Sequence, residues 1–358
     1  MSGHRLRVGV VGLGIGRSHL EAYQSLPDLF EIIAVCDLQE ARARAAAEQF
    51  NAPHIAADFD ALCRRDDLDV IDICTPPYLH FAQIQQALDT GHHVVCEKPL
   101  VSSLAEVDRL MEAESASGRR VMPIFQYRFG HGLQKLKWLV EAGVAGEAYL
   151  STVETAWRRG PDYYAVPWRG KWRTELGGSL VSHAIHGHDM LTYILGPVRS
   201  VFARLATRVN PIETEDCASI SLEMADGSLA SLSVTLGSAV EITRHRFCFA
   251  GLTAESNLRP YTNSHDPWTF SGTSSEADAA IQAILDDFEP LPERFPGQFY
   301  HLYHALRGDG PLPATLADAR ASLELVTAMY ASARSGEAVP LPLTADHPLY
   351  KGWLPEGA

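Results

Sequence analysis

Near its start the chain carries a short run, Leu6 to Val11, that is apolar apart from Arg7 and is followed by Gly12-Leu13-Gly14-Ile15-Gly16. An apolar run without polar alternation predicts a strand buried on both faces. Helical spacing follows over Arg17 to Leu26. A second apolar strand, Glu31 to Cys36, closes at Asp37, and an Ala- and Arg-rich helix is expected over Leu38 to Phe50. Val70 to Cys74 reads as a strand stopped by Thr75-Pro76-Pro77, and Tyr78 to Asp89 as a helix with Gly91 at its end. His93 to Cys96 is a strand running into Glu97-Lys98-Pro99, then come a helix over Ser102 to Ser117 and a last strand over Val121 to Phe125. Strand and helix in strict turn predict a parallel sheet with helices on both faces.

Beyond residue 126 the period changes. Alternating segments occupy Tyr149 to Ala156, Val198 to Thr207, Ala218 to Met224, Leu229 to Leu236 and Thr243 to Ala250, with a hairpin signal at Asp226-Gly227. These predict an antiparallel sheet with one face covered by helices and the other open to a second subunit. Asn257 to Pro296 is polar and rich in breakers, and reads as an irregular excursion. Leu316 to Ser335 has the spacing of an amphipathic helix, ended by Pro340 to Pro342.

A length of 358 residues with 46% hydrophobic positions suits two domains of ordinary size. Lys and Arg total 30 against 44 Asp and Glu, a formal charge of −14. A surface this acidic repels phosphate backbones, which argues against nucleic acid as a partner. No apolar run reaches the roughly 20 residues of a membrane span. Met1 to Arg7 lacks the basic, apolar and small-residue order of a secretory leader. The six cysteines form no CxxC pair and read as reduced thiols, so a cytoplasmic protein is expected.

The glycine turn lies between a buried strand and a helix, the context in which such a turn binds a pyrophosphate on free helix N–H groups. Gly12, Gly14, Ile15 and Gly16 are the candidate contacts, although the loop is one residue short of the common spacing. Asp37 stands 25 residues after Gly12, where an acid accepts from the adenosine ribose. Leu38 offers no charge to a 2′-phosphate, so NAD is preferred over NADP, while Arg42 and Arg44 keep NADP open. Thr75 and Pro76 end a strand at the carboxyl edge, where ligands bind in such sheets, or they simply stop it. Lys98 stands at the same edge and could hydrogen-bond a substrate hydroxyl.

With these pieces in order, the chain resembles the Gfo/Idh/MocA family of nicotinamide-dependent sugar and cyclitol oxidoreductases. The resemblance rests on Gly12 to His19, Asp37, Glu97-Lys98-Pro99, Trp168-Arg169-Gly170-Lys171-Trp172, the stretch Gly177 to Asp189, Asn210-Pro211-Ile212-Glu213 and Glu215-Asp216. It implies a Rossmann domain, taken here as residues 1–125, and an α+β domain over 126–358 with a large, mostly antiparallel open sheet. The helix at about 315–335 is expected to pack back, and subunits to pair through the sheet as a homo-oligomer, dimer or tetramer. The family's second-domain motif falls on Gly177, Gly178, Leu180, Ser182, Ala184, His186 and Asp189. Ser182 replaces its Asp and Ala184 its Gly. His186 takes the catalytic His position, and Ser182 can hydrogen-bond but carries no charge. His183, His188 or Glu175 could compensate. On one helix, residues 182, 186 and 189 would share a face.

The expected activity is therefore transfer of hydride between a secondary hydroxyl of a sugar, glycoside or cyclitol and NAD, by family analogy at C3 of a glucoside. Lys98, His186 and Ser182 are the expected catalytic group. Thr75, Pro76, Glu97, Lys98 and Gln126 join the cofactor contacts, and Lys98 and His186 are expected to touch the substrate as well. Arg128, Tyr164, Trp168, Arg169, Trp172, His183 and Asp189 are candidate substrate contacts, as aromatic faces and guanidinium groups suit a sugar ring. No metal is expected, because His183, His186 and His188 lack ligand spacing on one helix. A reductase or dihydrodiol dehydrogenase of the same family, and a catalytically inactive NAD-binding sensor, stand as alternatives.

Overall fold

The computed structural model describes residues 5–355. Met1–His4, part of the stretch read as lacking a leader, and residues 356–358 lie outside the described residues. In chain order the elements of the first half are β1 (Leu6–Val11), α1 (Gly16–Gln24), β2 (Phe30–Cys36), α2 (Glu40–Phe50), β3 (His54–Ile55), α3 (Phe59–Cys63), β4 (Val70–Ile73), α4 (His80–Asp89), β5 (His93–Cys96), α5 (Leu104–Ser117) and β6 (Val121–Pro123). The second half contains α6 (His131–Glu141), β7 (Ala148–Arg158), α7 (Pro161–Tyr164), α8 (Trp172–Glu175), α9 (Ser179–Ser182), α10 (Ile185–Leu195), β8 (Val198–Ala206), β9 (Cys217–Met224), β10 (Leu229–Thr235), β11 (Gly237–Phe249), β12 (Leu252–Glu255) and β13 (Thr269–Gly272). It closes with α11 (Ser275–Leu285), α12 (Arg294–Leu306), α13 (Leu316–Ser335) and β14 (Val339–Pro340).

Two compact units result. The first holds a parallel sheet of order β3-β2-β1-β4-β5-β6. Its middle strands are largely buried on both faces, which is why they read as mostly apolar runs without polar alternation, interrupted by Arg7 in β1 and Asp72 in β4. The strand order reverses between β1 and β4, and in sheets of this kind ligands bind at the carboxyl ends beside that reversal. Gly12 follows β1, and Thr75 lies just beyond β4.

The first unit also takes in Phe295–Arg320. This differs from the expected division, which gave everything after residue 125 to the second domain. The physical reason lies at β6, an edge strand with unpaired backbone groups. Gln298 of α12, fully buried, accepts from Phe125 N (3.1 Å) and donates to Pro123 O (2.8 Å), as a neighbouring strand would. Arg320 adds a bond to Asp108 of α5 (2.7 Å).

The second unit, residues 126–294 and 321 onward, holds an eight-stranded sheet of order β13-β12-β11-β7-β10-β9-β8-β14. All pairs are antiparallel except β7 with β10. Alternation sorts the faces: Ala218, Ile220, Leu222, Ala230, Leu232 and Val234 point into the core, while Ser219, Ser221, Ser231 and Ser233 stay exposed on the other face. Helix α13 is tied to the sheet by Ser332 Oγ, which accepts from Ala203 N (2.9 Å). The stretch Asn257 to Pro296 is not irregular throughout, for it contains β13 and α11. Ser274 caps α11 through Ala277 N (3.2 Å), a start signal that the Gly- and Ser-rich surroundings masked. Among the described residues no helix is long and apolar enough to cross a membrane.

Gln298→Leu should strand two buried backbone groups at the β6 edge and lower the free energy of unfolding by about 3 kcal/mol. Urea unfolding followed by circular dichroism measures this; an unchanged midpoint would show that Gln298 does not hold α12 to the sheet.

Candidate active site

In the first unit the glycine turn is shaped by close approach. Gly12 has φ +85°, and a Cβ there would lie 2.6 Å from Cys74 O. A Cβ on Gly16 would press on Cys74 and Val10 at 3.2 Å, whereas Gly14 faces open space. Among the described residues no side chain caps α1 at its N-cap, Ile15, and an uncapped helix N-terminus is suited to receiving an anion. Asp37 Oδ2 accepts from Leu13 N (2.8 Å) and Oδ1 from Gln39 N (2.8 Å), fixing the carboxylate beside the turn. Arg42 reaches the same carboxylate at 3.3 Å. Ile15, Leu38 and Tyr78 are exposed apolar side chains in the segments that follow β1, β2 and β4 at this carboxyl edge, as expected where a ligand covers them. These residues fit a dinucleotide: donors for a pyrophosphate, an acid for a ribose and apolar cover for flat rings.

Thr75 and Pro76 are half-buried at the edge, and Thr75 Oγ1 donates to Gln83 (2.6 Å). Glu97, expected among the cofactor contacts, instead turns its carboxylate into the core. Its Oε1 lies 3.1 Å from His19 Nε2, and Oε2 accepts from Lys98 N (3.0 Å). His19 Nδ1 is 2.8 Å from Asp72 Oδ2, which also accepts from Tyr23 OH (2.9 Å). Burial opposes charge on His19, yet Asp72 above all holds its pKa well above the ordinary value. Burial alone would raise Glu97, but the hydrogen bond and charge of His19 hold it below the usual carboxylate range. On the far side of Lys98, the His80 ring lies 3.0 Å from Pro99 O and 2.8 Å from Thr75 O. Lys98 itself is half-buried.

In the second unit, residues 182, 186 and 189 do not ride on one continuous helix. The chain breaks at His183, between α9 and α10. Glu215 shapes the turn before it: its carboxylate accepts from Gly178 N (3.1 Å), Leu180 N (3.0 Å) and Tyr330 OH (3.0 Å). A Cβ on Gly178 would collide with Glu215 O at 1.9 Å, which explains the glycine. Asp216 accepts from Arg208 N, Val209 N and Asn210 N at 2.7 to 2.9 Å, so this acidic pair is scaffolding.

His186 is buried, its ring stacked on Tyr127 at 4.3 Å between centroids. Arg128 and Asp189, expected as substrate contacts, form a buried bidentate pair with each other (2.6 and 2.9 Å). They fix the turn that carries Tyr127, because each charge needs the other once desolvated. The oxygen of buried Gln126 has no hydrogen-bond partner among the described residues. Ser182 Oγ donates to Glu175 Oε1 (2.8 Å), and Glu175 also accepts from Gly170 N (2.5 Å) and lies 3.5 Å from Arg169. Of the three candidates to compensate for the missing Asp, Glu175 thus accepts a hydrogen bond from Ser182.

Arg169 stacks over Tyr163 (4.0 Å) and Trp168 (4.3 Å) and donates to the Tyr163 hydroxyl. Tyr164 meets Tyr163 edge-on, whereas Trp172 packs against buried Tyr330 (5.5 Å), away from its expected role. His183 accepts from Arg159 Nε (3.2 Å). Arg159 also reaches Glu241 (3.0 Å) and the Tyr261 hydroxyl, and lies over Trp157. Tyr261 holds a left-handed φ of 64°, an uncommon conformation for a bulky side chain. Sequence reasoning missed Arg159, Trp157, Tyr261, His80 and Asp72. The run Trp157-Arg158-Arg159 was the available signal for the first two, while Tyr261 and Asp72 carried none. Among the described residues, the ligand-type atoms that cluster closely are those of His19, Asp72 and Cys74, not those of residues 183–188.

A model of an oxidoreductase family with an NAD-binding Rossmann fold matches residues 6–125, and the model of the same family's C-terminal α/β domain matches residues 137–341. The chain belongs to the Gfo/Idh/MocA oxidoreductases. It is 30% identical over 262 residues to an uncharacterized oxidoreductase, YrbE, of Bacillus subtilis, covering 71% of this chain and 74% of that one. It is 32% identical over 210 residues to the D-glucoside 3-dehydrogenase of Escherichia coli, covering 57% and 58%. The WlbA dehydrogenase of Bordetella pertussis, solved with NADH and UDP-GlcNAcA, superposes with a TM-score of 0.84 over 95% of this chain and 100% of that one, at 29% identity. Like its relatives, this Gfo/Idh/MocA chain carries an NAD-binding domain and is an oxidoreductase.

His188, two residues after His186, has both ring nitrogens buried without a partner among the described residues. Burial first, and His245 second, push its pKa down to about 3. The unfolded chain therefore takes up this proton first as pH falls. Stability is fully present above about pH 6.5 and is lost below it, at up to roughly 1.4 kcal/mol per pH unit. His188→Leu should flatten the acid limb of stability measured by urea unfolding between about pH 6.5 and 4. An unaltered limb would show that His188 is not kept neutral by the fold.

Proposed function

We propose that the protein oxidises a secondary hydroxyl of a sugar, glycoside or cyclitol with NAD. The observation that carries this reading is Lys98, held by its neighbours at the carboxyl edge of the same sheet that bears the Gly12 turn and Asp37. Bound NAD supplies the hydride acceptor. Gly12, Gly14, Ile15 and Gly16 receive the pyrophosphate, Asp37 the adenosine ribose, and Thr75 and Pro76 border the cofactor. Lys98 donates to the substrate oxygen and stabilises its developing negative charge. His186, its ring plane fixed by Tyr127, removes the hydroxyl proton. Ser182 and Glu175 supply the polar and negative groups behind it.

The substrate class follows from the aromatic and guanidinium side chains of Tyr163, Tyr164, Trp168, Arg159 and Arg169, which suit C–H faces and hydroxyls of a pyranose. The relatives named D-glucoside 3-dehydrogenase and myo-inositol 2-dehydrogenase support that class, and the first favours C3 of a glucoside. The inactive-sensor reading rested on the Asp replaced by Ser182. The carboxylate of Glu175, one hydrogen bond from Ser182, weakens it.

Incubation with NAD and a panel of glucosides, cyclitols and diols should yield NADH absorbance at 340 nm with pyranosides or cyclitols. Lys98→Ala and His186→Ala should each lower kcat by about 10²- to 10⁴-fold and leave NAD affinity within about threefold. Near-normal turnover in both variants would reject the assignment. The outward face of β8, β9 and β10, which carries exposed Phe202 among serines, is read as a contact with a second copy. Light scattering should give a dimer or tetramer, and a monomer at micromolar concentration would reject that pairing.

A further inference from the structure

The first unit contains a buried charge network that the proposed chemistry does not itself require. It begins in the core at Tyr23, whose hydroxyl donates to Asp72 (2.9 Å). Asp72 lies in the middle of β4 and is fully buried, as is His19 of α1. The two imidazole nitrogens each face a carboxylate oxygen, Nδ1 toward Asp72 at 2.8 Å and Nε2 toward Glu97 at 3.1 Å. A neutral imidazole has one N–H and could satisfy only one of them, so the geometry calls for the doubly protonated ring. Cys74 Sγ lies 3.4 Å from both His19 Nδ1 and Asp72 Oδ1, and the rings of Phe295 and Phe299 seal the imidazole at 4.4 and 5.4 Å. The second oxygen of Glu97 accepts from Lys98 N (3.0 Å).

We propose that His19 is a positioning residue for Lys98. From the helix that follows the glycine turn it holds Glu97 in one orientation, and Glu97 in turn fixes the backbone N–H from which the Lys98 side chain departs. The inference rests on the reading of Lys98 as the donor to the substrate oxygen. It makes the helix that receives the pyrophosphate and the loop that carries the lysine parts of one rigid connection. The held backbone sets the point from which the lysine stem departs, and a displacement of about 1 Å at a reacting centre costs about 10²-fold in rate.

Reductive methylation with ¹³C-formaldehyde labels the five lysines and keeps their charge. The Lys98 resonance is assigned by its loss in Lys98→Arg. In His19→Gln and in Glu97→Gln the Lys98 signal should shift or broaden while the other lysine signals stay. For the unlabelled variants kcat should fall by about 10²-fold, with the sugar KM within about threefold. Asp72→Asn leaves the His19–Glu97 contact in place. It should lower the melting temperature without moving the Lys98 signal. Should His19→Gln fail to fold, Glu97→Gln decides, because there His19 keeps Asp72 as its partner. An unmoved Lys98 signal in the folded variants would overturn the proposal and leave the network a stabilising core feature. A shifted signal together with normal turnover of Lys98→Ala would uphold the coupling and overturn the role given to the lysine.

Discussion

Two carboxylates buried in the same sheet cannot both stay charged without a cation between them. Asp72 stands on β4 and Glu97 directly follows the adjacent parallel strand β5, and His19 is that cation. Taking these charges out of water costs several kcal/mol per ion, so the arrangement survives only because every oxygen and nitrogen in it finds a partner. The partners come from α1, β4 and the end of β5, the three elements that frame the carboxyl edge. What looks like a costly cluster in an apolar core is therefore the joint that sets the glycine turn and Lys98 in register.

The second unit solves a comparable problem with different means. Arg128 and Asp189 cancel each other's buried charge, and in doing so present Tyr127 to the His186 ring. Glu215 is pushed up to about 7 by burial, against its hydrogen bonds, and it holds the turn that precedes α9. Ser182 reaches a carboxylate through Glu175 instead of carrying one. Each unit thus surrounds the nitrogen given a role in the proposed reaction with neighbours that are themselves hydrogen-bonded, which is how preorganisation is built from ordinary side chains.

Much of this was legible in the chain. Mostly apolar runs without period-two alternation located β1, β4 and β5, because strands covered on both faces leave little room for polar side chains. The period-two runs and the Asp226-Gly227 turn located β9 and β10. Short elements such as β3, α3 and β13 escaped, since two to five residues carry too little period to stand out. The return of α12 to the first unit was also hidden, as it depends on one glutamine satisfying the edge of β6 at a sequence distance no local pattern encodes. Site residues named by motif, such as Asp37 and Lys98, lie at the sheet's edge. The directions of Glu97, Arg128 and Asp189 were not readable, because a charged residue in a motif says nothing about whether its partner is a ligand or another side chain.

The most direct measurement is a single turnover with NAD and a glucoside carrying deuterium at C3. NADH should form more slowly than from the unlabelled glucoside and carry the deuterium at C4 of its nicotinamide. Unlabelled NADH, or bound NAD with no reduction by any pyranoside or cyclitol, would contradict the proposed hydride transfer.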